Sequence, residues 1–71
     1  MNSDNYFYKA AIKSFEADRE EVIATLNLYF YNSVGIADHS QILSEIKKWT
    51  CKLAEATENL KVLEDYFFTD R

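Results

Sequence analysis

The apolar residues of this chain recur at alternating steps of four and three. From residue 42 the row runs Ile42, Ile46, Trp49, Leu53, Ala56, Leu60, Leu63 and Phe67, and every member is apolar. Such steps keep side chains on one side of a helix, so the row predicts an amphipathic helix of roughly 28 residues. Upstream, Tyr8, Ile12, Phe15, Arg19, Val22, Leu26, Tyr29 and Ser33 repeat the steps, with Arg19 and Ser33 as polar members. This predicts a second, less regular helical arm.

The break between the arms falls where the chain has its single Gly and, lacking Pro, its one strong punctuation. Gly35 suits a left-handed cap on the incoming helix, and Asp38 with Gln41 three residues later spells a capping box for the outgoing one. Folding the arms back about Ala37 and Asp38 sets Tyr8 against Phe67, Ile12 against Leu63 and Phe15 against Leu60. Val22 then meets Leu53, Leu26 meets Trp49 and Tyr29 meets Ile46. Arg19 falls opposite Ala56, whose small side chain leaves the long one a route to water. The expected fold is all-α: an antiparallel helical hairpin forming a single helical domain over residues 1–71.

One feature of the first arm stays open. The stretch Glu16-Ala17-Asp18-Arg19-Glu20-Glu21 interrupts the apolar row, and Asp18 with Glu21 resembles a further capping box. The arm is either one helix or two with a break near residues 16–19, and the lack of Gly and Pro favours continuity.

Two helices hide little apolar surface. At 71 residues a chain buries only about 60% of its unfolded surface, which invites oligomerisation. The excess is aromatic: eleven residues, most of them clustered as Tyr6-Phe7-Tyr8, Tyr29-Phe30-Tyr31 and Tyr66-Phe67-Phe68, with Trp49 apart. Three consecutive helical residues cannot all face one neighbour, so part of each triplet is left over. Ala10, Ala17, Ala24 and Tyr31 also form a stripe at seven-residue steps beside Leu28, where another helix backbone has room to approach. Alanine is equally the best helix former, so the stripe has a plain reading too. The candidate protein interface is Ala10, Ala17, Ala24, Leu28, Phe30 and Tyr31, and the expected assembly is a homodimer closing a four-helix bundle.

Reactive chemistry is sparse. With one His and one Cys, the chain offers no structural metal set and no internal disulfide, and nothing in it suggests a cofactor. Asp38-His39-Ser40 has the residue types of a hydrolase triad, but neighbours in sequence do not converge on a pocket as a triad must. Cys51 is about 200° around the helix from Trp49; a redox handle or a disulfide across a dimer is one reading, but the mixed local charges favour a passive thiol. The pairs Glu20/Glu21 and Glu64/Asp65 read as solvated surface. The chain is expected not to be an enzyme.

The N-terminus lacks the basic patch and apolar run of a signal peptide, and no apolar run nears the roughly 18 residues of a membrane span. These features predict a cytoplasmic protein without membrane contact. A net charge of −4 argues against nonspecific nucleic-acid binding. The densest positive group, Lys47, Lys48 and Lys52, is flanked by Glu45 and Glu55, and no recognition motif follows.

Tyr6-Phe7, the Gly35-Ile36 turn and the run Ile42-Leu43-Ser44-Glu45-Ile46-Lys47-Lys48-Trp49 carry a likeness to a family. Over roughly residues 20–68 the sequence resembles the small enterobacterial YmgB/AriR-type proteins, which are biofilm and acid-resistance regulators or two-component connectors, and the related biofilm-dependent modulation protein. The resemblance implies a dimeric helical regulator without catalytic residues, acting through protein contacts in biofilm or stress response, with DNA contact suggested for some members. Two other readings stand beside it: an acidic inhibitor, such as an immunity or phage-encoded protein that blocks a partner enzyme, and a DNA-binding regulator.

Overall fold

A computed structural model describes residues 5–31 and 39–67. Two helices account for nearly all of them, α1 over Tyr6–Tyr31 and α2 over His39–Phe67. They lie side by side in a rod of 51 × 15 × 15 Å. The antiparallel sense is fixed at both ends: the Tyr29 hydroxyl donates to Glu45 Oε1 at 3.2 Å, and Glu64 lies close enough to Tyr8 to act on its phenol.

The seam follows the four-and-three rows. Tyr8, Val22 and Leu26 of α1 and Ala56 and Leu60 of α2 are buried. Ile12, Phe15, Tyr29, Ile42, Ile46, Trp49, Leu53 and Leu63 are half-buried between them. Phe67 departs from the expected row, being 45% exposed. It is the last described residue of α2, and α1 begins opposite it at Tyr6, so among the described residues one side of its ring is left open.

The first arm is one helix. The break considered near residues 16–19 is absent: α1 runs unbroken through Glu16–Glu21. The charges of that stretch point outward, Arg19 alone being half-buried, so the helix accommodates them without losing its seam. α1 opens on Asn5, whose Oδ1 accepts from the Phe7 and Tyr8 amides at 2.9 and 3.1 Å, a side-chain cap for otherwise orphaned donors. The Gly35 cap and the carboxylate half of the Asp38–Gln41 capping box lie outside the described residues.

Candidate functional site

All six residues of the expected interface lie on α1 and all are exposed. Ala24 is two residues from both Val22 and Leu26, about 200° around the helix from each, and so lies on the side away from α2. Ala10, Ala17 and Tyr31 share its row, with Leu28 one turn before Tyr31. Phe30 does not share it: only four residues beyond buried Leu26, it turns onto the side of the hairpin. Its ring remains near that of Tyr31, with centroids 6.3 Å apart and planes tilted by 52°.

The aromatic clusters divide as three consecutive helical residues must. Tyr8 is buried, whereas Tyr6, Phe7 and Tyr66 stand exposed at the same end of the rod. Burial raises the Tyr8 pKa above its ordinary 10.0, with a smaller push from Glu64. At the other end burial raises that of Tyr29, and Glu45 adds to it by accepting the phenol's hydrogen bond.

Ile23, at 41% exposure, and Leu43, at 60%, join Phe30 on the same flank and were not among the expected interface residues. The signal that finds them is position: each directly follows a seam residue, as Phe30 follows Tyr29. Residues directly preceding seam positions go to the opposite flank. There Asp18, Glu21, Lys52, Glu55 and Asn59 rim an open groove of about 270 Å³, floored by Phe15, Val22, Trp49 and Ala56. The small side chains of Val22 and Ala56 are what leave it hollow.

The lysine cluster is partly engaged within its own helix. Lys48 Nζ and Lys52 Nζ lie 5.5 and 5.3 Å from the centre of the Trp49 ring, and Lys48 also reaches Glu45 at 3.8 Å. Both ammoniums thereby meet the negative face of the indole. The Trp49 Nε1–H is buried with no acceptor among the described residues.

No group of three or more metal-ligating side chains comes together among the described residues. Cys51 is exposed. Glu20, Glu21, Glu64 and Asp65 are all exposed, and Asp65 accepts from Lys61 at 2.7 Å, which raises the lysine pKa above its ordinary 10.5. His39 begins α2, but Asp38 and the side chains of His39 and Ser40 lie outside the described residues. No helix among the described residues is long and apolar enough to cross a membrane. No protein-family model, curated protein or solved structure matches the chain.

Proposed function

We propose that the chain is a small non-enzymatic regulatory protein that works by binding another protein, and that it does so as a homodimer closing a four-helix bundle in the cytoplasm. The carrying observation is the apolar surface the hairpin leaves uncovered: Tyr6, Phe7, Leu28, Phe30, Tyr31, Leu43 and Tyr66 are all exposed. Two helices have one seam between them, so a further apolar face among the described residues is available to another chain. Tyrosine is well suited to a recognition surface, being large, having few rotatable bonds and carrying a polar tip. The resemblance over residues 20–68 supplies the proposed setting, a connector in a biofilm or stress circuit.

Affinity purification from the native host, followed by mass spectrometry, tests this reading. A single reproducible partner should be recovered, and recovery should fall when Tyr6 and Tyr66 are replaced by Ser. Recovery of the chain alone, across growth conditions, would remove the regulatory reading.

The acidic-inhibitor reading draws on one feature, the carboxylates of Asp18, Glu21 and Glu55 around the groove. It requires that partner binding weaken steeply with salt, whereas an apolar interface is nearly indifferent to it. A DNA-binding regulator ranks lower, because Lys48 and Lys52 are drawn onto Trp49 and no broad basic surface remains among the described residues. Absence of a retained complex in a gel-shift at physiological salt would exclude it.

A further inference from the structure

The two flanks of the hairpin differ in kind. Residues that directly precede seam positions rim the groove from both helices: Asp18 and Glu21 from α1, Lys52, Glu55 and Asn59 from α2. Since those positions share one flank, residues that directly follow seam positions share the other. The ones nearer the seam form two rows at seven-residue spacing, Lys9, Glu16, Ile23 and Phe30 on α1, and Leu43, Thr50, Thr57 and Glu64 on α2, while Lys13, Glu20, Asn27, Lys47, Ala54 and Lys61 lie mostly farther round toward the outer faces. A seven-residue step drifts only about 20° on a helix, so each row runs nearly straight along the rod.

The rows are matched in level and in chemistry. The Tyr29–Glu45 hydrogen bond sets the levels, so Phe30 stands beside Leu43, Ile23 beside Thr50, Glu16 beside Thr57 and Lys9 beside Glu64. Within the two rows the half toward the Tyr31/His39 end is apolar, with the polar Asn27 and Lys47 at its outer margins. Phe30 is 57% exposed, and Thr50 turns its hydroxyl back onto Ile46 O at 2.7 Å, so its polar group is already satisfied. The half toward the chain ends is polar and charged, with Glu16 and Thr57 leading to Lys9 of one sign and Glu64 of the other.

We propose that a second copy of this chain covers this flank, with the two hairpins alongside each other and their Tyr31/His39 ends together. A two-fold axis along the rods sets the α1 row of each copy against the α2 row of the other. Phe30 then packs on Leu43 of the second copy, and the Lys9 ammonium, which in the single hairpin lies 5.7 Å from the Tyr6 ring centre, meets the second copy's Glu64. Glu16 faces the second copy's Thr57, whose hydroxyl can donate to the carboxylate. The opposite orientation would press Phe30 and Leu43 onto the charged half.

The inference rests on the self-pairing proposed above, and sedimentation equilibrium separates the two. The wild type should sediment at twice 8.3 kDa in the micromolar range. Phe30→Glu and Leu43→Glu should each raise the dimer dissociation constant by about 100-fold, because the two-fold buries the new charge twice. Ala24→Glu, on the outer row of α1, should leave the mass unchanged. Mixing Phe30→Lys with Leu43→Glu should restore a dimer, since one new ion pair and one native Phe30–Leu43 contact form together. If the single variants lose helicity alone, its recovery on mixing supports the arrangement and its absence overturns it. A dimer that survives Phe30→Glu but not Ala24→Glu overturns this face and leaves self-pairing intact. A monomeric wild type removes both.

Discussion

Leu60 is one of five buried apolar residues in the seam, and no side chain there is walled in on every side. Leu60→Ala should destabilise the hairpin by about 2–4 kcal/mol, a large fraction of what so small a domain has in reserve. Urea unfolding followed by circular dichroism would show the midpoint falling sharply, or the transition losing its sigmoid form. The tyrosines make a prediction of a different kind. Tyr29 and Tyr8 both have pKa values raised above 10.0, so the fold favours the neutral phenol. The stability this confers is complete below pH 10 and is lost as the pH rises through the folded-state values. Unfolding should therefore set in above pH 10, and Tyr29→Phe should flatten that alkaline loss without abolishing it, because Tyr8 remains.

α1 depends for its start on Asn5. Removing its side-chain oxygen leaves the Phe7 and Tyr8 amides without that acceptor, and Asn5→Ala should cost about 1 kcal/mol, seen as a lower denaturation midpoint with helical content otherwise retained. The helices themselves were legible in the sequence because each apolar row keeps its phase for six turns or more, and the seam follows those rows from Tyr8 to Leu63. The exception at Phe67 was not legible, since it depends on where the opposite helix begins. Nor could the pattern decide the fate of Glu16–Glu21: Asp18 and Glu21 have capping-box spacing, but the same residues serve equally as the wet face of a continuing helix. The exposed apolar surface was legible only in part. The alanine stripe stands out by composition, whereas Ile23 and Leu43 are ordinary aliphatic residues that gain meaning once the antiparallel pairing puts them on one flank.

The whole molecule is a thin rod, 51 Å long and 15 Å across. If a second copy shares in covering its apolar flank, folding and association are linked, and the thermal midpoint should climb as protein concentration is raised. A midpoint that stays constant over a hundredfold dilution would mean that one hairpin is sufficient to hold itself together.

Among the described residues no large side chain is fully buried, so no segment of either helix lies more than one layer from solvent. Local opening then exposes little new surface and costs little, which leaves backbone amides quick to exchange with deuterium and peptide bonds open to proteases. The free chain should be digested within a brief exposure to a nonspecific protease, and occupancy by a partner should lengthen its survival. Under the binding role proposed above, a rod this slender would tie how long the molecule persists to whether it is engaged, and its amount would follow demand for it.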